Sequence, residues 1–346
     1  MVAYAAQVYK KQIPNFKNEF PSVFPEKIPI TLPPLWKGLN HKITPQESEL
    51  GNYRNEYRPI PESKMKQLSK WLQEWKENGI AVNGPAPYAA PIFSIPKKVP
   101  GEIRWVIDLK ERNRYTVRDY TPIPNQPIIR NDVGSHPFRS KIDMWNAYYQ
   151  IRVEPSDEIK NSIIAGQFGV FQVKVMLQGD CNAPATMMRI MNTIFSPYLR
   201  KFVWVNLDDI LIFSNTYNDH LNHLRQIFKK LEENNFYFRM DKCNLLVDDI
   251  EVLGHTINGN RITPAKEKTT PITNFPTPTS KKQLQQFLRS VNYIGSHLPH
   301  ITTLQTPLSE LMGTQIWEWS NLQYNVFNQI KEACNQHLAI SPINYE

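Results

Sequence analysis

Cysteine is scarce in this chain of 346 residues: only Cys181, Cys243 and Cys334 occur, and they are far apart. An odd number of widely spaced cysteines excludes a disulfide framework and a Cys-x-x-Cys metal site, and it fits a reducing compartment. Long apolar runs are also lacking, since no stretch approaches the roughly 18–20 residues that span a bilayer. The first residues have no apolar core followed by small residues, so we expect no signal peptide and no membrane partner.

The bulk composition is that of an ordinary globular protein. Hydrophobic residues make up 41% of the chain and charged residues 21%, which is a typical balance. The length is enough for two or three subdomains. The formal net charge of +8 favours a nucleic-acid partner, because lysine and arginine displace counterions from phosphates, but this signal is weak by itself.

The positions of the prolines and the spacing of the apolar residues divide the chain into three regions. Residues 1–60 are rich in proline and predict an extended segment on the surface of the later residues. The middle is predicted to mix helices and strands, and the last third to be mostly helical, with Ser280 as a helix N-cap and a further helix after Ser320. We expect helices over 63–78, 183–195 and 221–231, and strands over 90–95, 103–109, 150–153, 162–165, 170–175, 202–205 and 210–213.

Two adjacent aspartates stand between two of these apolar strands. Asp208 and Asp209 follow the run 202–205 and precede the run 210–213, the layout of a hairpin with acids at its tip. A solvated acidic turn is the simpler interpretation. Carboxylates held together at the edge of a core repel each other unless a cation compensates them, however, and Mg²⁺ is the natural candidate.

A third aspartate upstream turns this weak signal into a strong one. Asp143 lies in Lys-Ile-Asp-Met-Trp-Asn-Ala-Tyr-Tyr-Gln (141–150), and the chain here resembles the reverse transcriptase family, most closely that of gypsy-type (Metaviridae) long-terminal-repeat retrotransposons. In that family, an aspartate at a strand end is followed five residues later by an aromatic residue near the incoming sugar, the place of Tyr148. Further motifs are similar in order and spacing from about residue 39 to residue 342: 104–113, 176–184, 206–209, 242–243 and 253–255.

The resemblance implies an α+β fold, a right-hand polymerase with fingers, a palm whose antiparallel sheet carries helices on one face, and a mostly helical thumb or connection. The implied division is an extended segment over 1–60, fingers with part of the palm over 61–140, the palm with a fingers insertion over 141–260, and the thumb-like region over 261–346. RNA- and DNA-directed DNA synthesis on a primer is the implied activity. The implied partners are an RNA or DNA template with its primer, deoxynucleoside triphosphates, and a homodimer or other polyprotein products, in a cytoplasmic particle or the nucleus.

The resemblance also assigns roles to individual residues. Two Mg²⁺ ions, replaceable by Mn²⁺, would be held by the three aspartates. The expected nucleotide contacts are Lys97, Arg104, Tyr148, Gln178 and Lys242, with a solvated lysine as the open alternative for Lys242. The expected primer contacts are Asn206, Leu253, Gly254 and His255, with a buried structural histidine as the open alternative for His255.

Two residues depart from the family pattern. Asn206 stands where the family's Tyr-x-Asp-Asp box has tyrosine, which concerns primer placement and not metal binding, and Leu177 stands where the family usually has proline. No later set of carboxylates suggests an RNase H domain in this chain. A domesticated or decaying fragment that binds nucleic acid without catalysis is therefore the alternative, and a telomerase-like use of the same palm is a third hypothesis. His220 and His223, one helical turn apart, are expected to be exposed and not a metal pair.

Overall fold

The computed structural model describes residues 13–27, 29–46, 58–96, 103–313, 316–336 and 338–343. The regular elements follow in this order: α1 (Phe16–Glu19), α2 (Glu62–Glu77), β1 (Ala81–Asn83), β2 (Ala90–Pro96), β3 (Ile103–Ile107), α3 (Lys110–Tyr115), α4 (Gln126–Ser135), β4 (Phe138–Asp143), β5 (Ser162–Ile164), β6 (Val170–Val173), α5 (Ala183–Phe195), β7 (Val203–Asn206), β8 (Asp209–Ser214), α6 (Tyr217–Glu233), β9 (Asp249–Val252), β10 (His255–Asn258), β11 (Arg261–Pro264), α7 (Lys266–Thr273), α8 (Lys281–Tyr293), α9 (Ile301–Leu304), α10 (Thr306–Glu310) and α11 (Asn321–Ala333). Short 3-10 helices are interspersed among them: Ala147–Gln150, Pro155–Lys160, Gly166–Phe168, Met240–Lys242 and Gly295–His297. Segregated helices and mainly antiparallel strands make this an α+β fold, as predicted.

A three-stranded antiparallel sheet in the order β4-β8-β7 forms the centre of the molecule. Because side chains alternate between the two faces of a strand, Val205, Ile210 and Ile212 point to one face, while Trp204 and Leu211 point to the other. The first face packs against α5 and α6 in the largest hydrophobic core. The second face packs against α4 and the small sheet β11-β10-β9.

A buried arginine joins the central sheet to the small sheet. Arg139 on β4 is 2% exposed, and its guanidinium donates hydrogen bonds to the carbonyls of Val133 (2.8 Å), Gly134 (2.8 Å) and Gly259 (2.7 Å). A buried cation is tolerated only when its donors are satisfied, and three carbonyls do so here. Burial lowers the pKa of Arg139 to about 10, so it stays charged at neutral pH.

A second sheet has five strands. Along the chain, β1, β2 and β3 precede β4, and β5 and β6 come between β4 and β7. The order of this sheet is β1-β6-β5-β2-β3, antiparallel except for the parallel pair β2–β5. Leu68, Leu72 and Trp75, at helical spacing on α2, pack against its buried face. This helix was predicted over 63–78 as a core-packing stripe, and the structure confirms both points.

The carboxy-terminal helices bury a core of their own. Leu284, Phe287 and Val291 of α8 pack with Phe327 and Ile330 of α11. The Ser280 side chain accepts a hydrogen bond at the start of α8, and Ser320 forms a capping box at the start of α11, so both predicted N-terminal signals are confirmed. Among the described helices, none combines the length and the apolar character needed to cross a membrane.

Two local predictions are wrong. Residues 150–153 do not form a strand: Gln150 ends a 3-10 helix, and its buried side chain bonds the backbone of Trp145 and Tyr237 instead of facing a partner strand. The proline-rich segment was predicted to lie on the surface, but Phe16 and Phe24 within it are 1% exposed and belong to the largest core.

Candidate active site

The three aspartates predicted to be catalytic lie together at one edge of the central sheet. Asp143 is the last residue of β4, and its register partner across the antiparallel pair is Asp209, the first residue of β8. Asp208 lies just before Asp209 in the two-residue turn that joins β7 to β8. Its carbonyl accepts a hydrogen bond of 3.1 Å from the N–H of Met144. The register of the sheet therefore brings the three acids together.

The turn that presents Asp208 has an uncommon backbone conformation. Leu207 has a φ of 57°, in the left-handed region that a residue with a Cβ rarely adopts. Its N–H donates to the Sδ of Met188 on α5, at 3.3 Å. Residues in such conformations persist only where the surrounding structure holds them, and they cluster at functional sites.

A lysine on the same strand as Asp143 compensates part of the negative charge. Lys141 Nζ lies 2.9 Å from Oδ2 of Asp209, and each of these side chains is 19% exposed. Lys141 precedes Asp143 by two residues in β4, so both side chains lie on the same face of the sheet. No role for Lys141 was predicted from the sequence; its spacing from Asp143 in a strand is the signal that could have found it.

Burial and mutual repulsion raise the pKa of two of the acids. The pKa of Asp143 is raised mainly by burial and then by the charge of Asp208, while Lys141 and Lys242 lower it. The pKa of Asp209 is raised mainly by burial, against the opposing effect of Lys141. Carboxylates whose ionised form is costly favour a bound cation among them. Lys242 is exposed, yet it lies near enough to act on Asp143.

The donor set of this edge fits a hard divalent cation. All three side chains offer carboxylate oxygens, and Mg²⁺ uses one or two carboxylates and completes its shell with waters and substrate phosphates. Within the described ranges, no three His, Cys, Asp or Glu side chains are placed so that they could hold a metal ion by themselves. The edge is therefore not a protein-only cage, and a cation there would take further oxygens from its substrate.

Four of the five residues predicted to contact the nucleotide are described by the structure. Arg104 on β3 donates a hydrogen bond to the side-chain oxygen of Gln178, so these two predicted contacts touch each other. Tyr148 is half-buried, and its pKa is raised mainly by burial and then by the charge of Asp208, which puts the ring beside the acids. Lys97 lies outside the described residues.

A buried ion pair that was not predicted from the sequence holds the segment that carries Gln178. Arg112 Nη2 lies 2.5 Å from Oδ2 of Asp180, and the Asn113 side chain donates a 2.8 Å hydrogen bond to the carbonyl of Gly179. Burial alone would raise the pKa of Asp180, but the Arg112 guanidinium holds it well below its usual range. Arg112 and Asn113 close the motif 104–113, so the motif itself was the available signal.

Asn206, in the place of the family's tyrosine, is the last residue of β7 and is 7% exposed. Its Oδ1 has no hydrogen-bond partner among the residues that the structure describes. A buried acceptor without a donor costs free energy, so this oxygen is a good acceptor for a donor brought by a ligand.

Three of the four predicted primer-contacting residues lie at the turn between β9 and β10. Leu253 and Gly254 have φ values of 50° and 70°, and two successive left-handed residues are typical of a tight hairpin. His255 is 1% exposed, and its Nδ1 lies 3.0 Å from the carbonyl oxygen of Leu253. Because a carbonyl only accepts, Nδ1 carries the hydrogen. Burial lowers the pKa of His255 to about 4, so the buried structural alternative describes this side chain.

The prediction that His220 and His223 are exposed is wrong. His220 is 0% exposed, with Nε2 2.7 Å from Oγ of Ser140 and Nδ1 2.8 Å from Oγ of Ser214. His223 is half-buried and stacks on Phe202 at 3.8 Å between ring centroids. Burial lowers the pKa of His220 to about 3. The polar residues next to them in sequence favoured an exposed position, but both histidines face the central sheet.

The geometry agrees with a match to a known family. Residues 95–257 match the family model described as reverse transcriptase (RNA-dependent DNA polymerase). This span contains all three clustered aspartates, together with Arg104, Gln178 and the turn at 253–255. This span is therefore similar to the reverse transcriptase family, as its motifs predicted.

Similar curated proteins narrow the relationship. The Tf2-3 and Tf2-7 transposon polyproteins of Schizosaccharomyces pombe are each 30% identical to this chain over 329 residues. The alignment covers 94% of this chain and 24% of the polyprotein, so the chain spans about a quarter of the length of these relatives. The predicted relationship to gypsy-type long-terminal-repeat retrotransposons is confirmed.

Solved structures confirm the fold. The foamy viral protease-reverse transcriptase in complex with dsDNA superposes with a TM-score of 0.77 at 19% identity, covering 97% of this chain and 70% of that one. The same enzyme in complex with RNA/DNA hybrid gives a TM-score of 0.71 at 18% identity, covering 94% of this chain and 44% of that one. The predicted right-hand polymerase fold is thereby confirmed.

Proposed function

We propose that this chain is the polymerase unit of a retrotransposon, adding deoxynucleotides to a primer 3′-hydroxyl on an RNA or a DNA template. The observation that carries the proposal is the meeting of Asp143, Asp208 and Asp209 at one sheet edge, with Lys141 beside them. The family match supports the same activity. The proposed subdomains keep the boundaries predicted from the sequence: an N-terminal segment over 1–60, fingers with part of the palm over 61–140, palm with a fingers insertion over 141–260 and a thumb-like region over 261–346.

In this proposal the three aspartates hold two Mg²⁺ ions, for which Mn²⁺ substitutes. When bound, the ions lower the pKa of the attacking hydroxyl and neutralise the triphosphate and the leaving pyrophosphate. The contribution of the protein is to fix the carboxylates on a rigid sheet, so that little reorganisation is needed during the reaction. Lys242, near Asp143, is proposed to give a proton to the pyrophosphate.

The side chains around the acids are proposed to select and hold the nucleotide. Arg104 and Lys97 would contact the phosphates with their positive charges. Gln178 would pack against the nucleotide, in a segment that the Arg112–Asp180 ion pair fixes. Tyr148, beside Asp208, would meet a 2′-hydroxyl sterically and so favour deoxynucleotides.

The proposed macromolecular partner is a primer annealed to its template. Two solved relatives of the same fold hold dsDNA and RNA/DNA hybrid, and this chain carries a net charge of +8, which suits a phosphate backbone. Asn206, Leu253 and Gly254 are proposed to line the primer side, and the buried His255 supports the turn through its contact with the Leu253 carbonyl. A homodimer or other polyprotein products as partners, and a cytoplasmic particle or the nucleus as the place of action, complete the proposal.

Primer extension on poly(rA)/oligo(dT) with Mg²⁺ tests the proposal. We expect the wild-type chain to extend the primer and Asp208→Asn to abolish extension, because the substitution removes a carboxylate from the cluster. Asp219→Asn is the matched control, since Asp219 is an exposed acid in the first turn of α6, and it should keep full activity.

A different result would favour the binding-only alternative. The observation that favours this alternative is Asn206, which stands where the family's Tyr-x-Asp-Asp box has tyrosine. Wild-type protein that binds the duplex but incorporates no nucleotide with Mg²⁺ or Mn²⁺ would refute the polymerase assignment.

A further inference from the structure

Both carbonyl groups of the primer-side turn are bonded to residues outside the hairpin. The Leu253 carbonyl accepts a 2.9 Å hydrogen bond from the hydroxyl of Tyr293. The Gly254 carbonyl accepts a 3.0 Å hydrogen bond from the N–H of Ala265. The turn is thus fastened to the chain that leads into the carboxy-terminal helices, and Tyr293 supplies the only side-chain hydroxyl bonded to it among the described residues.

The close approach of Tyr293 explains why glycine follows Leu253. A Cβ added to Gly254 would lie 2.6 Å from the Tyr293 hydroxyl oxygen and 2.9 Å from Cε of Lys268. The φ of 70° at Gly254 also disfavours any residue with a side chain. Gly254 therefore both forms the turn and leaves room for the tyrosine hydroxyl.

Tyr293 is one of the contacts between the turn and the carboxy-terminal helices; the His255 ring also stacks on His297, with ring centroids 5.0 Å apart. Tyr293 is the last residue of α8, whose inward residues Phe287 and Val291 belong to the carboxy-terminal core. Its own ring is 44% exposed, so the residue is not there to fill that core. The ring lies 5.8 Å from both the His255 ring centroid and Lys268 Nζ, which holds the hydroxyl over the turn.

We propose that Tyr293 is a positioning residue that fastens the primer-side turn to the helical thumb. The hydrogen bond fixes the position of Leu253 and Gly254 relative to α8. A duplex bound by the thumb therefore also has its primer end held by the turn. Tyr293 itself touches no reacting atom. This inference rests on the proposed polymerase function, because the turn matters only if a primer lies against it.

Tyr293→Phe isolates the hydroxyl, since the ring and its packing stay. Loss of one hydrogen bond of about 0.5–1.5 kcal/mol corresponds to a factor of about 2 to 12. We expect the primer–template duplex to dissociate about 2 to 12 times faster, and processivity against a heparin trap to fall accordingly. The KM for deoxynucleotide should stay unchanged, and the melting temperature should fall by no more than a few degrees. Tyr324→Phe on α11, 49% exposed, is the matched control and should behave as wild type.

A double-mutant cycle separates this role from a general effect on the fold. In the wild-type background, Gly254→Ala meets the Tyr293 hydroxyl and a left-handed φ; in the Tyr293→Phe background, only the φ and Lys268 remain. We therefore expect Gly254→Ala to accelerate duplex dissociation less in the Tyr293→Phe background. Equal effects in both backgrounds, or wild-type dissociation by Tyr293→Phe, would overturn the inference.

The two proposals fail in distinguishable ways. If the wild-type chain extends no primer, the polymerase function is refuted. If the wild-type chain is active and the Tyr293→Phe variant dissociates from the duplex at the same rate, only the role of Tyr293 is refuted. Hydrogen exchange of the amides at 249–258 gives a readout that needs no activity. Exchange there should be faster in Tyr293→Phe than in Tyr324→Phe, and equal exchange would count against the inference.

Discussion

Replacement of Lys141 by methionine should tighten the binding of divalent cations to the active-site edge. Lys141 Nζ lies 2.9 Å from Oδ2 of Asp209, so a metal ion that uses this carboxylate must compete with the ammonium group. Methionine keeps the length of the side chain and its apolar contacts while it removes the charge. The substitution therefore isolates the electrostatic part of the interaction.

The size of the effect follows from the geometry. At an effective dielectric constant of about 20, two unit charges at 2.9 Å attract by roughly 6 kcal/mol before hydration is subtracted. Exposed pairs retain about 0–1 kcal/mol, and breaking a buried pair costs about 3–5 kcal/mol. Since each partner is 19% exposed, we take about 2 kcal/mol, which is about thirtyfold in a binding constant.

Isothermal titration of Mg²⁺ and Mn²⁺ into the free enzyme measures this directly, without reliance on catalysis. The Lys141→Met variant should bind more tightly by up to about thirtyfold, and its melting temperature should rise more on metal addition than that of the wild type. Lys230→Met is the control, because Lys230 forms an exposed ion pair with Glu233 and its replacement removes the same charge elsewhere. Unchanged or weaker binding by Lys141→Met would refute the reasoning.

Three further predictions concern the same region. Tyr148→Ala should increase ribonucleotide incorporation in single-nucleotide extension, and unchanged sugar discrimination would sink its role as the steric gate. The pKa values of Asp143 and Asp209 are raised on folding, so above about pH 4 the folded chain binds more protons than the unfolded one. The free energy of unfolding, measured in EDTA, should therefore fall as pH rises from the ordinary aspartate pKa of about 4 to the raised values. Urea titrations should show that slope, and its persistence after replacement of both acids by asparagine would contradict this origin. Arg112→Met removes the guanidinium from the buried Asp180 carboxylate and leaves it only His41 Nε2 at 3.2 Å and the Asn182 N–H at 2.8 Å. It should cost about 3–5 kcal/mol of unfolding free energy, whereas Arg114→Met at an exposed pair should cost under about 1 kcal/mol. Equal losses would argue against the buried network.

The features that sequence predicted well are those that local pattern determines. The helix expected over 183–195 is α5 with the same bounds, because its apolar periodicity has no competing signal. Ser280 and Ser320 cap the helices that they were expected to cap. The hairpin with Asp208 and Asp209 at its tip was predicted from two apolar runs separated by a short polar segment. The order of the motifs then identified Asp143 as the third acid.

The features that escaped prediction depend on contacts between distant parts of the chain. His220 was expected to be exposed because its neighbours in sequence are polar, yet Ser140 and Ser214 from two strands enclose it. Lys141 resembles an ordinary strand lysine until the register places Asp209 beside it. The role of Tyr293 needed the position of α8 relative to the turn, which no local pattern encodes.

The three phenylalanines at the start of the described chain have a practical consequence for dissecting this protein. Phe16, Phe20 and Phe24 surround Phe228 of α6, with ring centroids 5.1, 5.6 and 5.0 Å away. Aromatic contacts of this kind contribute beyond their buried area. A recombinant piece cut to the family-matched span of 95–257 would leave Phe228 and its neighbours facing water, inviting self-association through the bared apolar patch. The span that the family model matches is thus shorter than the span needed to bury this aromatic cluster.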